Sequence, residues 1–138
     1  MSEPIWVPVE AVHIIHDRQI ARHGGASGLR DEGLLQNAMQ RPVNKWQYED
    51  ADTFACAAAY AFGIAKAHAF VDGNIRTAFV TSATFLRLNG WHFAIEPAEG
   101  VTFMEGLASD EVSEEKFKNW LELGSKKIQY TISLYAPT

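Results

Sequence analysis

Apolar residues recur at intervals of three or four over most of the chain, and this spacing predicts amphipathic α-helices. In the segment Val7–Gly24, Pro8 lies near the start, and the spacing is provided by Val9, Val12, Ile15 or His16, and Ile20. Gly24 itself is a residue type at which helices commonly end. We therefore predict a first helix over residues 7–24.

The run GGASG predicts a loop, after which Asp31 is placed to cap a second helix. The apolar positions of this helix are Leu34, Leu35, Ala38 and Met39. Because the residue before a proline disfavours the helical conformation, the pair Arg41-Pro42 predicts the end of the helix. The tract PVNKWQYED is then predicted to be a connection.

Few polar residues interrupt the alanine-rich and aromatic-rich stretch Asp52–Ala67, which is typical of a helix surrounded by other helices. We interpret it as the central helix of the fold. The polar turn VDGN separates it from a partner helix over Ile75–Asn89, for which Gly90 supplies the C-terminal signal.

The last third of the chain contains a short extended segment, WHFAI, a weak helix over Pro97–Ala108 and a more amphipathic helix over Ser113–Lys127. Strand signals amount to one short hairpin. The pattern therefore predicts an all-α fold, a compact bundle of about six helices around a buried central helix.

Composition narrows the class of protein. With 138 residues and 47% hydrophobic residues, the chain has material for one core, so a single domain over residues 1–138 is expected. The net charge of -5, without a local basic patch, argues against direct binding to nucleic acid.

The single cysteine, Cys56, suits a reducing cytoplasm. The N-terminus lacks signal-peptide features and the apolar stretch Phe54–Ala65 is too short to span a membrane, so a cytoplasmic protein is expected.

The segment KAHAFVDGNIRTAF concentrates the candidate chemistry at the turn between the two buried helices. Residues Gly73–Arg76 offer a glycine, the N–H groups of a helix N-terminus and a planar guanidinium, which together suit a phosphate group. His68 would stand at the end of the preceding helix and can take a proton from a hydroxyl nucleophile. Asp72 is a hard oxygen ligand suited to Mg²⁺. The combination predicts phosphate-ester transfer without a covalent enzyme nucleophile.

Each of these residues also has an ordinary interpretation. Asp72-Gly73-Asn74 alone would be a plain turn with a capping asparagine, and Arg76 could simply be solvated. His68 alone resembles the remaining histidines, which we interpret as structural: His13, His16, His23 and His92. A metal hydrolase using His68 and Asp72 as ligands lacks an identifiable third ligand.

The ordered string His68-Ala69-Phe70-Val71-Asp72-Gly73-Asn74-Ile75-Arg76 resembles the signature of the Fic/Doc family. That signature reads His, any residue, Phe, any residue, an acidic residue, Gly, Asn, a variable residue and Arg. The flanks are similar too: GGASGLRDEGLLQNAMQRP looks like the upstream segment of death-on-curing (Doc) toxins, and FLRLNGWHF looks like the end of their signature helix. The resemblance covers residues 24–93 and implies a Fic/Doc-like helical fold.

The resemblance implies a role for each residue of the string. His68 would be the general base toward a hydroxyl of a target protein, Asp72 would hold Mg²⁺, and Phe70 would anchor the loop in the core. The residues of the implied phosphate and nucleotide site are Lys66, Gly73, Asn74, Ile75 and Arg76.

Two departures from the family pattern bear on the reaction. Fic adenylyl transferases have a second Arg where this chain has Phe79, and Doc-like members, which lack that Arg as well, act as kinases. The resemblance therefore implies a toxin that uses Mg-ATP to phosphorylate a Ser or Thr of elongation factor Tu, arrests translation, and is paired with a cognate Phd-like antitoxin. Ile75 stands where Doc toxins usually have Lys and Fic enzymes Gly. Two alternatives stay open: a Fic-type adenylyl transferase, and a catalytically weak binding module.

The four tryptophans also leave two interpretations open. Trp6, Trp46, Trp91 and Trp120 could line a groove for the antitoxin tail, or they could pack in the core.

Overall fold

The computed structural model describes residues 2–129, whose regular structure consists of six helices and two short strands. In chain order these are α1 (Val9–His23), α2 (Glu32–Glu49), α3 (Thr53–Ala67), α4 (Asn74–Leu88), β1 (Trp91–Phe93), α5 (Pro97–Ala108), α6 (Glu114–Leu123) and β2 (Ser125–Lys127). The predicted all-α fold is confirmed. No helix among residues 2–129 is both long and apolar enough to cross a membrane. The single domain over residues 1–138 stays a prediction, because residues 1 and 130–138 lie outside the described part.

Side-chain caps fix the start of three helices. Asp31, Asp52 and Ser113 each accept a hydrogen bond from the backbone N–H of the third residue after them, at 2.8–3.1 Å. Such a cap satisfies an N–H group that has no partner inside the helix. The cap at Asp31 was predicted from the sequence.

The central position of α3 is confirmed. Nine of its 15 residues are buried, and α2, α4 and α6 pack around it. Small side chains allow close packing of these helices. A Cβ atom added at Gly63 would lie 3.1 Å from the backbone oxygen of Ala38 in α2.

The predicted end of α2 at Arg41-Pro42 is wrong, because the helix continues to Glu49 with Pro42 inside it. A proline inside a helix removes one backbone hydrogen bond and costs about 3 kcal/mol. The tract that was predicted to be a connection makes tertiary contacts that offset this cost. Trp46 meets the edge of Trp6 at 6.2 Å, and the Lys45 ammonium lies 3.3 Å from the Glu114 carboxylate of α6.

The predicted last helix is too long, and the predicted pair of short strands is present, with β1 in the predicted extended segment, but the two strands are not neighbours in the sequence as in a hairpin. Helix α6 ends at Leu123, and Ser125–Lys127 instead form β2, which pairs antiparallel with β1. Since α5 and α6 separate the two strands, the pairing is long-range. Gly124 permits it, because a Cβ atom there would lie 2.5 Å from the ring of Phe93.

The tryptophan side chains pack against the core rather than forming an open groove. Trp6 stacks on Phe85 with ring centroids 5.7 Å apart, and Trp91 meets Phe54 at 5.0 Å. Trp120 is 6% exposed and packs in the same cluster. These contacts favour the core interpretation of the tryptophans.

Candidate functional site

The candidate site forms where α3 ends and α4 begins. His68 terminates α3 in the left-handed conformation, with φ 50° and ψ 42°. Gly73, immediately before α4, is also left-handed, with φ 76°. The six residues 68–73 between the two helices therefore form a tight turn with a left-handed residue at each end.

The glycine-rich loop between α1 and α2 pairs with this turn. Leu29 forms an isolated antiparallel bridge with Phe70, and the Val71 N–H donates to the Gly28 oxygen at 3.0 Å. The Ala69 oxygen accepts two N–H groups from the same loop, at 2.7 and 3.0 Å. The turn is therefore held by a segment about 40 residues away in the sequence, since Val71 and Gly28 are paired.

The Asn74 side chain fastens the turn from inside. Its oxygen accepts from the Phe70 N–H at 3.0 Å, and its amide nitrogen donates to the Phe70 oxygen at 2.9 Å. Asn74 is buried, and Phe70 is 2% exposed. The predicted contact of Asn74 with phosphate therefore falls to its backbone N–H, because both ends of the side-chain amide are already bonded to Phe70.

The N-terminus of α4 presents free donors. No side chain caps this helix, and in the described residues the N–H groups of Asn74, Ile75 and Arg76 have no hydrogen-bond acceptor. Unpaired N–H groups and the helix dipole attract anions at such an end. Glycine suits position 73, because its φ of 76° is unfavourable for other residue types and a Cβ atom there would lie 3.1 Å from Ile20 Cδ1 of α1.

His68 is exposed, and its side chain has no hydrogen-bond partner among the described residues, while its backbone oxygen accepts from Arg30 Nε at 3.0 Å. The imidazole lines a cavity of about 1030 Å³ that also contains Asp72 and the start of α4. The backbone of His68 is therefore anchored by Arg30, and its imidazole is free to contact a molecule in the cavity.

Asp72 is a solvent-exposed carboxylate held by two backbone donors. Its Oδ1 accepts from the Gly73 N–H at 2.8 Å, and its Oδ2 accepts from the Ala26 N–H at 3.2 Å. These hydrogen bonds, with a smaller contribution from the Arg76 charge, hold the Asp72 pKa below its ordinary value of 3.8. The carboxylate is ionised at neutral pH.

Of the two cationic side chains predicted to contact phosphate, Arg76 and Lys66, only Arg76 lines the cavity. Arg76 lines the cavity and donates from Nη2 to the Gly24 oxygen at 3.1 Å, which orients the guanidinium. Lys66 does not line it: its Nζ is bonded to Asp110 at 2.6 Å and to the Ala108 oxygen at 2.9 Å. The Lys66 ammonium is therefore bonded to groups at the C-terminal end of α5 and is not directed to the cavity.

The cavity has a polar end and an apolar end. The polar end is the turn with the N-terminus of α4, where Ile75, 37% exposed, also lies. The apolar end is lined by side chains of α4, β1, α5 and the residues between them: Phe79, Val80, Phe93, Ile95, Val101 and Met104. Because Phe79 belongs to this wall, no guanidinium reaches a ligand from that position.

Sequence reasoning missed a contribution from α1. His16, interpreted as an ordinary histidine, is 2% exposed and its Nε2 lies 2.8 Å from the Asp72 oxygen. Gln19 and His23 line the cavity. The spacing of His16, Gln19, Ile20 and His23 places them on one helix face, and polar residues on that inward face were an available signal.

No group of three or more His, Cys, Asp or Glu residues within 2–129 is arranged to hold a metal ion. A site that relies on one carboxylate, with phosphate oxygens and water as the other ligands, suits Mg²⁺. The exposed, ionised Asp72 beside the free N–H groups of α4 fits that requirement.

Comparison with known proteins covers the turn from His68 to Arg76 and the helices on either side of it. Residues 6–86 match the sequence profile of the Fic/DOC family. The chain is 34% identical over 105 residues to "Protein kinase doc" of Escherichia phage P1, and the aligned region covers 75% of this chain and 82% of that protein. It is 41% identical over 75 residues to "Toxin Doc" of Mycolicibacterium smegmatis, and here the aligned region covers 53% of this chain and 58% of that toxin.

Proposed function

The chain belongs to the Fic/Doc family, and from this premise we propose that it is the toxin of a toxin–antitoxin pair and a protein Ser/Thr kinase. The main support is that His68, Asp72, Arg76 and the free N–H groups of α4 all border one cavity. The names of the two relatives, a protein kinase and a toxin, agree with this proposal.

His68 acts as the general base in the proposed reaction. Its free imidazole nitrogen takes the proton of a Ser or Thr hydroxyl on the target protein. The hydroxyl oxygen forms a bond to the γ-phosphorus of ATP while the bond from that phosphorus to the β,γ-bridging oxygen breaks. ADP leaves with that electron pair, the phosphate remains on the target, and the proton remains on His68. No covalent enzyme intermediate is formed.

The start of α4 binds the phosphates. The N–H groups of Asn74, Ile75 and Arg76 point out of the helix end, and the Arg76 guanidinium adds a positive charge. Asp72 would hold Mg²⁺, which when bound neutralises phosphate charge. The position of Lys66 away from the cavity lining gives no support to its predicted contact with phosphate.

Transfer of the γ-phosphoryl group, rather than the adenylyl group, is favoured by the wall at Phe79. Adenylyl transfer would need a cation at this position to bind the phosphates of the nucleotide. Phe79 instead packs toward Phe93, with ring centroids 6.0 Å apart. By family resemblance, the target is of the elongation factor Tu class and the partner is a Phd-like antitoxin.

The proposal is tested with ATP labelled at the α or the γ position, incubated with the protein and purified elongation factor Tu or bacterial lysate. We expect a labelled protein target only with the γ label. His68→Ala should lower the rate by roughly 10²–10⁴-fold, the usual contribution of a general base, and should abolish growth arrest.

His92→Ala is the matched control, because His92 is an exposed histidine that contacts Arg87 rather than the cavity. Label transferred from the α position would show an adenylyl transferase. Binding of Mg-ATP without transfer of either label would show a binding module. A fully active His68→Ala protein would remove His68 from the mechanism.

A further inference from the structure

His16 joins α1 to the peptide group between Asp72 and Gly73. Its Nε2 lies 2.8 Å from the Asp72 carbonyl oxygen, across 56 residues of sequence. A carbonyl oxygen can only accept, so Nε2 must carry the proton in this contact. The opposite side of the same peptide, the Gly73 N–H, donates to Asp72 Oδ1 at 2.8 Å.

The imidazole is itself held firmly in place. It is 2% exposed and stacks on the Phe70 ring, with centroids 3.8 Å apart and planes within 9°. Phe70 is bonded through its backbone to the Asn74 side chain. The donor on Nε2 therefore has a fixed position relative to the turn.

The orientation of this peptide matters because the two sides of a trans peptide point in opposite directions. With its oxygen toward His16, its N–H is directed to the Asp72 carboxylate. Rotation of the peptide by half a turn would release the carboxylate and turn a carbonyl oxygen toward the side where anions bind. Gly73 permits such a rotation more readily than any other residue type, because it has no Cβ atom.

We propose that His16 is a positioning residue that selects the peptide orientation in which Asp72 and the α4 N–H groups face the same ligand. This proposal rests on the proposed function in assigning Mg-ATP as that ligand. It adds a residue outside the signature string, on a different helix, to the determinants of nucleotide affinity.

Two substitutions separate the hydrogen bond from the ring stacking. His16→Phe keeps a flat ring against Phe70 and removes the donor. His16→Gln keeps an N–H donor near the position of Nε2 and removes the ring. His13→Phe is the control, because His13 meets the edge of the same Phe70 ring at 5.8 Å but does not contact Asp72.

Two measurements are made on each variant. Calorimetry gives the Mg-ATP affinity, and NMR hydrogen exchange gives the protection of the Gly73 and Ala26 amides, which both donate to Asp72. We expect His16→Phe to weaken affinity and to accelerate exchange at both amides by about threefold to tenfold, the effect of one hydrogen bond. His16→Gln should recover part of both losses, and His13→Phe should match wild type.

Wild-type affinity and exchange in a folded His16→Phe protein would overturn the proposal. If His16→Phe does not fold, His16→Gln decides, and equal exchange acceleration at buried α3 amides and at Gly73 would show a merely structural role. If wild type itself binds no Mg-ATP, the proposed function fails, while the exchange rates of Gly73 and Ala26 still decide whether His16 orients the peptide.

Discussion

Asp72 has an exposed carboxylate whose ionised form is stabilised by backbone hydrogen bonds from Gly73 and Ala26. Because the pKa of Asp72 is lower in the folded protein than in the unfolded chain, the carboxylate stabilises the fold above about pH 3.8. This contribution is lost as the pH falls through the lower folded-state pKa.

Substitution Asp72→Asn should therefore lower stability at neutral pH, and the difference from wild type should shrink in acid below about pH 3.8. Urea unfolding at a series of pH values measures this, with Asp50→Asn as an exposed control outside the site. At neutral pH the Asp72 variant should also bind ATP with weaker dependence on Mg²⁺. A stability difference that is constant with pH would contradict the role of the ionised carboxylate.

Ile75 is an exposed apolar side chain at the polar end of the cavity. Ile75→Lys adds a charge where the phosphates are proposed to bind, and a charge-assisted hydrogen bond is worth roughly 1.5–3 kcal/mol. We expect Mg-ATP affinity or the transfer rate to rise by about tenfold to a hundredfold. Leu88→Lys places the same charge at the other end of α4, on a side chain that is 43% exposed, and should change neither. If both variants behave alike in calorimetry, Ile75 does not face the phosphates.

At the scale of elements, the glycine-rich loop acts as a support for the turn after α3. Gly24 and Gly25 both have positive φ, at 79° and 112°. They differ in their surroundings, since a Cβ atom at Gly25 would lie 2.6 Å from Asp72 Oδ2, whereas one at Gly24 would have no atom within 4 Å.

Both Gly24→Ala and Gly25→Ala should therefore suffer the backbone strain of a residue with positive φ, on the order of 1–3 kcal/mol. Only Gly25→Ala should also displace the Asp72 carboxylate and weaken Mg-ATP binding. Thermal unfolding measures the shared effect, and calorimetry measures the specific one. Equal affinities in the two variants would show that the loop does not control Asp72.

Helix boundaries were predicted well where the signals are local. Asp31, Asp52 and Gly90 each mark a boundary to within one or two residues, because caps and glycines act on the nearest helical turn. Pro42 misled the prediction, because its cost is local whereas the contacts that offset it come from Trp6 and Glu114. The β1–β2 pairing was missed because it also depends on distant contacts, between strands that α5 and α6 separate in the sequence.

At the scale of the whole molecule, an ion-pair cluster ties α2 to α6. The Glu114 carboxylate, 18% exposed, is paired with Arg41 and with Lys45. Burial reduces screening by solvent, and loss of the Glu114 charge would leave Arg41 without this ion pair and Lys45 with only Glu49, at 3.9 Å, which is unfavourable.

Glu114→Gln should accordingly lower the free energy of unfolding by about 1–2 kcal/mol, between the values for exposed and buried pairs. Glu115→Gln, at an exposed neighbouring position, should have little effect. Urea unfolding of both proteins checks this, and equal midpoints would show that the cluster adds nothing to stability. Mg-ATP affinity should be retained in both, because Glu114 lies outside the cavity lining.

The sequence by itself determined the all-α class, the central helix and the composition of the turn from His68 to Arg76, because helix periodicity, caps and the signature string are all encoded within short segments. Only the tertiary structure decided which of these groups are free to bind a ligand. In the folded protein the Asn74 side chain is bonded to Phe70, Lys66 is bonded to Asp110, and His16 contacts the Asp72 carbonyl oxygen. Each of the last two contacts joins residues more than 40 positions apart, and such pairs are selected by the packing of whole helices rather than by local spacing.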